Sequence, residues 1–470
     1  MDHGRLRRDI SRFGLPDIRF IEDENIDLKA IVITHSHEDH YGALADLWPY
    51  LNVPVYVSPF TAGMLEAKRA YERSGDAVPV KIFRAGETFQ AGVFSVEAVP
   101  VNHSIPEPVS LAITTPAGVV IHTGDWKIDV APTLGPLTDE SRFRQIGDAG
   151  VLALICDSTN ALMEGSSPSE KEVSKSLEKI ISAAKGRVAL TTFSSNVGRI
   201  RSIAEAARDA GRQVLLLGSS IKRVVNVATD LGMMEGLPPF IEEDEYGYIP
   251  RDKIVIILTG SQGESRAALA KLSRDEMRNV HVSGHPRRNE LVQMYEWVRP
   301  EILVPVHGEA AHLTAHAKLG LQSGIKTVPR VRNGDMLRLS PGPVEVIAEV
   351  PHGRIYKDGD LIGDFDEMGI GERRKLSYAG HIAVNVLLNS KNELIRDPSV
   401  SAFGLPQEDE NGALMKDCLV EAAINAVGSI PKGRRKDLDV VRESVRRAVR
   451  SAARNVWGKK PVMTVFLTRI

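Results

Sequence analysis

The stretch His35-Ser36-His37-Glu38-Asp39-His40 decides how this 470-residue chain is read. It follows residues 28–34, a short apolar run of the kind a buried strand presents. Side chains two apart on a strand point the same way, so His35 and His37 can converge at the strand end. Asp39 and His40 come next in the turn and can address a second point. Imidazole and carboxylate are donors that zinc takes readily and that manganese also accepts. The chain has 13 His, and three His with one Asp at these spacings should arise by chance in on the order of one chain per thousand or fewer.

Working outward, three further residues could complete two coordination spheres. His103 lies in Asn102-His103-Ser104, after residues 92–101, which alternate apolar and polar like a half-buried strand. Asp125 lies in His122-Thr123-Gly124-Asp125-Trp126, after strands 110–115 and 119–122, joined at Pro116-Ala117-Gly118. His307 lies in Pro305-Val306-His307-Gly308-Glu309, after a strand at 301–306. A lone residue of this kind is more often structural. All three, however, sit at the carboxyl ends of expected strands, where loops build sites. With the first cluster they give seven donors, a set suited to a two-metal centre.

The organisation around these residues changes along the chain. Residues 1–160 are mostly strands, including 53–58 and 151–156, with a helix expected after His40. Ser167 and Glu170 form a capping-box pattern before a helix ending near Gly186. Strands at 187–193, 213–217 and 253–259, with a helix at 198–210, imply βαβ units and a parallel sheet. After 301–306 and an alanine-rich helix, residues 331–350 return to strands, with Asn333-Gly334 as a hairpin turn. Residues 375–470 look separate: a strand at 382–389, two helices and a closing strand at 462–468. On the second helix Leu438, Val441, Val445, Val449 and Val456 recur at helical spacing as a core stripe. The expected domains are 1–160, 161–300, 301–374 and 375–470.

Composition sets outer bounds. The length suggests two to four domains. Hydrophobic residues are 43% and charged residues 26%, an ordinary soluble balance with no apolar run long enough for a bilayer. No apolar segment follows the charged start, so no signal peptide is expected. Cys156 and Cys418 both stand in apolar contexts, which fits a reducing cytoplasm without disulfides. The net charge of −2 does not itself indicate nucleic acid. Residues 432–460, however, hold eleven Lys and Arg against three acids. That run is either a solvated helix face or a phosphate-facing surface.

The metal motifs resemble those of the metallo-β-lactamase superfamily. Asp157 in Cys156-Asp157-Ser158-Thr159-Asn160 and His285 in Val282-Ser283-Gly284-His285 are similar to motifs of its β-CASP nuclease branch. Thr259-Gly260-Ser261-Gln262-Gly263-Glu264 and Pro305-Val306-His307-Gly308-Glu309 resemble the ribonuclease J family. The resemblance implies an α/β fold: an αββα sandwich with an inserted β-CASP α/β domain and a small C-terminal α/β domain. It implies that His35, His37 and His103 hold one metal, that Asp39, His40 and His307 hold the other, and that Asp125 bridges. Asp39, Asp125 and His285 would be catalytic, and Asp157 would orient a ligand histidine. Ser283, Gly284, His285, Ser194, Ser195 and Asn196 would contact RNA phosphate, since glycine admits close backbone approach and small polar side chains donate hydrogen bonds.

The activity implied is hydrolysis of single-stranded RNA in processing and decay, 5′-to-3′ and internally, with a 5′-monophosphate end preferred. Two divalent ions, zinc or manganese, a homodimer or homotetramer, a cytoplasmic location and no membrane association go with it. The competing readings are a small-molecule metallo-hydrolase and a truncated, non-catalytic RNA-binding relative. The sequence departs from the family pattern twice. The strands expected before Leu15 are absent, and a βα unit expected between Glu264 and the Ser-Gly-His motif is missing. All seven donors survive both losses, but impaired metal affinity, stability or RNA channel shape is expected. His122, His281, His312 and His316 are expected to be structural, and Glu38 a loop carboxylate.

Overall fold

A computed structural model describes residues 14–72, 77–259, 283–359, 361–409 and 411–470. The chain divides into two compact units: Ile18–His352, and residues 353–470 together with the segment ending at Asp17.

In the larger unit the main sheet has six strands. Their order is Ile302–Val306, Ala153–Asp157, Gly118–His122, Val109–Thr115, Phe94–Pro100 and Thr88–Ala91. The first three run parallel to one another and the rest pair antiparallel. One face of this sheet buries Val99, Ile121, Leu154 and Leu303 together with Phe143, Leu291, Trp297 and Leu319 from the helices Glu140–Ala149, Arg288–Val298 and Ala310–Gln322. The other face buries Val96, Ala98, Val109 and Leu111 against Tyr56 and Phe83. Those two belong to or adjoin a parallel sheet of Ile31–Val32, Val55–Val57 and Val80–Ile82. Strand alternation accounts for both contacts, because neighbouring residues of one strand serve opposite faces. A second parallel sheet, Val188–Thr191, Ile254–Leu258 and Gln213–Leu217, lies in the chain between Asp157 and Ile302. The chain therefore leaves the six-stranded sheet at Asp157 and returns at Ile302 to pair beside it, with Val306 opposite Asp157.

In the smaller unit Gly14–Pro16 pairs with Arg354–Asp358, which pairs with Leu361–Gly363. A separate sheet orders Ser399–Phe403, His381–Leu388 and Val462–Arg469. Along His381–Leu388 every second residue is buried, and Ile382, Val384, Val386 and Leu388 pack on the helices Met415–Ser429 and Leu438–Trp457.

Four local expectations are corrected. The helix expected to be capped by Ser167 starts at Glu170 with Ser169 as its cap, because Glu290 takes both the amide and the hydroxyl of Ser167. The hairpin Asp335–Arg338 with Glu345–Glu349 turns after Arg338, so Asn333-Gly334 precedes it. The helix Pro59–Glu72 was not expected within the strand-rich start. Of the apolar stripe near the C-terminus, Val441, Val445 and Val449 are buried, but Val456 is exposed. A row at four-residue spacing drifts around a helix of 3.6 residues per turn, and Ala453 is the last buried residue in it. The motif residues 260–264, the expected missing unit before Ser283, His281 and the residues before Gly14 lie outside the described residues.

Candidate metal centre

Five of the seven expected ligands lie in the loops just after strands, Asp39 and His40 lie in the short helix Glu38–Tyr41 that follows His37, and the sheet register brings them together. His35, His37, His103 and Asp125 place one donor atom each within 4.8 Å of one another. Asp39, His40, Asp125 and His307 do the same, so Asp125 is common to both groups. Its Oδ2 lies 3.7 Å from His35 Nε2, 3.8 Å from His103 Nε2 and 3.3 Å from His40 Nε2, and its Oδ1 lies 3.4 Å from His307 Nδ1. A third overlapping set joins Asp125, Asp157, His285 and His307. Two backbone features shape the loops. Gly124 has φ +58, where a side chain is strained, and packs on Thr34, whose Cβ and Oγ1 would stand 3.0 Å from an added Cβ. His307 itself adopts φ +58, uncommon for a residue with a Cβ.

Several ligand histidines have their second nitrogen engaged, which is how metal sites fix tautomer and ring orientation. His35 Nδ1 is 3.1 Å from Thr34 Oγ1, and His37 Nε2 is 3.1 Å from Ser195 Oγ. His103 Nδ1 donates to the Gly284 carbonyl at 2.7 Å, which leaves its Nε2 bare and 2.9 Å from His37 Nδ1. His307 Nδ1 is 3.0 Å from Thr159 Oγ1 and 3.3 Å from Asp157 Oδ1. Ser195 and Gly284 come from the segment between Asp157 and Ile302, so that segment holds two ligands of the adjoining sheet loops.

The electrostatics fit divalent cations. His35 Nε2 and His40 Nε2 are buried and have no hydrogen-bond partner. Burial, then the neighbouring imidazoles, holds His35 well below its ordinary pKa; burial also lowers His37 to about 4 and His103 well below 6.5. These rings stay neutral, the form that binds a metal. Asp39 is held below the usual carboxylate range, chiefly by the His307 hydrogen bond. Burial opposes ionisation of Asp157, but hydrogen bonds from His285 and His307 outweigh it and its pKa falls. His307 is raised to about 10 by its hydrogen bonds to Asp157 and Asp39. Neutral His35, His37 and His103 beside carboxylates, with two buried nitrogens that lack a hydrogen-bond partner, are a donor set that a pair of divalent ions would satisfy, an ion at His307 displacing the proton that Asp157 and Asp39 hold there.

Beside these donors lies a cleft of about 540 Å³, lined by His37, Asp39, Ser194, Ser195, Ser283, Gly284 and His285 among others. His285 Nδ1 is 2.8 Å from Asp157 Oδ2, which leaves Nε2 for a ligand. Burial pulls the His285 pKa down, yet the hydrogen bond and charge of Asp157 prevail and the net shift is upward. The loop carrying His285 is anchored from behind. Asn160 Nδ2 donates to Ser283 Oγ and to the His285 carbonyl, which also accepts from Ser167 Oγ. Buried Glu290 accepts from the amides of Ile128, Ser167 and Arg287 and from Ser167 Oγ.

Sequence reasoning missed Arg223 and Ser220, which also line the cleft. Only the Gly218-Ser219-Ser220 turn, with Gly218 at φ +120, marks that helix start. It also missed Glu290 and Thr159. Asn196 is not among the cleft-lining residues; its side-chain oxygen caps the helix Val197–Asp209 by accepting from the Arg199 amide. Glu38 is held by Lys68 at 2.5 Å. His316 is a core histidine 2.7 Å from Ser158 Oγ.

Residues 12–154 match the β-lactamase superfamily domain, and residues 185–287 the ribonuclease J β-CASP domain. Residues 274–329 match the Zn-dependent metallo-hydrolase RNA specificity domain, and residues 368–470 the ribonuclease J C-terminal domain. A ribonuclease J of Sinorhizobium meliloti is 64% identical over 500 residues, covering 97% of this chain and 89% of that protein. Since 97% of 470 is about 456 residues, about 44 positions of that alignment have no residue here, consistent with a missing internal unit. A ribonuclease J of Mycobacterium tuberculosis is 36% identical over 427 residues, covering 80% of this chain and 75% of that protein. Among solved structures, a protein of unknown function from Enterococcus faecalis V583 has a TM-score of 0.48 at 16% identity, covering 65% of this chain and 80% of that one. Among the described residues no helix is long and apolar enough to cross a membrane. The chain belongs to the ribonuclease J family, divalent-metal-dependent ribonucleases in which a metallo-β-lactamase domain carries an inserted β-CASP domain and a C-terminal domain.

Proposed function

We propose that this chain hydrolyses single-stranded RNA both from a 5′-monophosphate end and internally, at a centre of two ions, zinc or manganese. His35, His37 and His103 would hold one ion, Asp39, His40 and His307 the other, with Asp125 between. The observation that carries this is the pair of donor groups sharing Asp125, with His35 Nε2 and His40 Nε2 buried and without a hydrogen-bond partner. Such ions would supply Lewis acidity, making water reactive near neutral pH and offsetting charge on the phosphodiester.

The protein's own groups do the rest. Asp157 keeps a proton on His285 Nδ1 and so aims His285 Nε2 at the substrate. There it hydrogen-bonds a phosphate oxygen or passes a proton to the departing ribose oxygen. Asp157 also steadies His307 from outside the donor ring. Ser194, Ser195, Ser283 and the Gly284 backbone offer hydrogen bonds along the cleft, and Arg223 offers a guanidinium suited to a terminal phosphate. A cytoplasmic location, a homodimeric or homotetrameric assembly and the domain limits 1–160, 161–300, 301–374 and 375–470 belong to the same reading.

The test is incubation with zinc or manganese on 5′- and 3′-labelled RNA bearing either a 5′-monophosphate or a 5′-triphosphate, with Asp39→Ala as control. Mononucleotide release, faster from the monophosphate and lost in the control, is expected. A folded, metal-loaded protein that cuts neither RNA would mark a non-catalytic relative.

A further inference from the structure

Outside the cleft, the largest concentration of charge lies in the smaller unit. Residues 432–460 carry eleven Lys and Arg against three acids, while the rest of the chain carries 48 basic against 58 acidic residues. A body of net −10 repels a polyanion, so RNA binding needs local compensation. The three acids do not neutralise the run. Asp437 caps the helix Leu438–Trp457, Asp439 pairs with Arg442, and Glu443 is shared by Arg446 and Arg447. Among the described residues, Arg434, Lys436, Arg450, Arg454 and Lys460 have no carboxylate partner, and Arg450 Nε has no hydrogen-bond partner at all.

The helix sorts these charges. Val441, Val445, Val449 and Ala453 face the core. One residue further round, Arg442, Arg446, Arg450 and Arg454 form a row that repeats about every 6 Å along the axis. At the end of the helix Lys459 Nζ lies 4.2 Å from the Tyr378 ring centroid and 4.9 Å from that of Trp457. Tyr378 is 68% exposed. A row of arginines, of which Arg450 and Arg454 have no carboxylate partner among the described residues, running toward an exposed aromatic ring combines phosphate contacts with a base-stacking platform.

We propose that this face is a docking surface for the backbone of single-stranded RNA, carried by a different unit from the one that cuts. It rests on RNA being the substrate. It tethers long strands and leaves the chemistry unchanged.

The experiment uses the full metal-loaded chain and the variant Arg446→Gln/Arg450→Gln/Arg454→Gln. Binding is measured to a long 5′-monophosphorylated phosphorothioate strand across a salt series, and turnover on a long RNA and on a 5′-phosphorylated dinucleotide. Loss of three phosphate contacts should lower the slope of log affinity against log salt by about 2. KM for the long RNA should rise about tenfold, with kcat and dinucleotide hydrolysis unchanged. A triple lysine variant should bind like the parent. If the glutamine triple fails to fold, Arg442→Gln/Arg454→Gln, two exposed positions, should lower the slope by about 1.4. An unchanged salt slope and KM overturns the proposal. So does a changed assembly mass with unaltered RNA affinity, which would assign the face to a protein partner. A parent that binds with the expected slope yet cuts nothing leaves the docking surface standing and removes the catalytic reading.

Discussion

Replacing Gly284 with alanine probes whether the loop between the two sheets positions a metal ligand. A Cβ there would stand 2.7 Å from His103 Cε1 and Nδ1 and 2.7 Å from Ser104 Oγ, where 3.4 Å begins ordinary contact. The imidazole would have to retreat by about 0.7 Å, or the loop would lift away. Either movement breaks the His103 Nδ1–H bond to the Gly284 carbonyl. Overpacking costs about 1–3 kcal/mol and a lost hydrogen bond about 1 kcal/mol, so about 2–4 kcal/mol of stability should go. Loss of an outer partner of a ligand histidine lowers metal affinity by about 10- to 100-fold. The assay is zinc binding by chelator competition, with thermal melting of the apo and loaded protein. A variant that melts below the parent yet binds zinc with unchanged affinity would refute the claim that Gly284 positions His103. A raised KM for RNA at full metal content would then give Gly284 a role in RNA contact alone.

Three further outcomes follow from the same structure. Glu290→Gln turns one acceptor oxygen into a donor against four N–H and O–H groups, and should destabilise the protein by about 2–3 kcal/mol by urea unfolding. Asn196→Ala removes a helix cap and should cost about 1 kcal/mol while leaving KM for RNA unchanged; a raised KM would return Asn196 to the phosphate contacts. His316 is fully buried, and burial lowers its pKa from 6.5 to about 4. Between those values the unfolded chain binds a proton that the folded chain does not, so stability falls as pH drops from 6.5 toward 4, by about 3 kcal/mol in full. Urea titrations at several pH values should show a shallower acid-side slope for His316→Gln than for the parent.

Much of the centre was legible because its signals are local. Six consecutive residues at a strand end carried four donors, and the other three each followed an apolar or alternating run. The strand His381–Leu388 was equally plain from its alternation, and so was the buried side of Leu438–Trp457 as far as Val449. Where local patterns competed, the sequence misled. Ser167 looked like a helix cap because Glu170 stood three residues on, yet both side chains have distant partners, Glu290 and Arg199.

The sequence by itself determined the donor types, their spacing and the strand ends that hold them, because those depend on neighbours within a few residues. Only the tertiary structure decided which groups meet. Pairing of Ile302–Val306 beside Ala153–Asp157 sets His307 next to Asp157 across about 150 residues. Packing of the inserted segment puts Ser195 on His37, the Gly284 carbonyl on His103 and Arg223 in the cleft. Packing also makes Asn196 a helix cap that does not line the cleft beside the metal donors. Periodicity tells a side chain which face it takes, while the register of paired strands and the closure of the core determine what stands opposite.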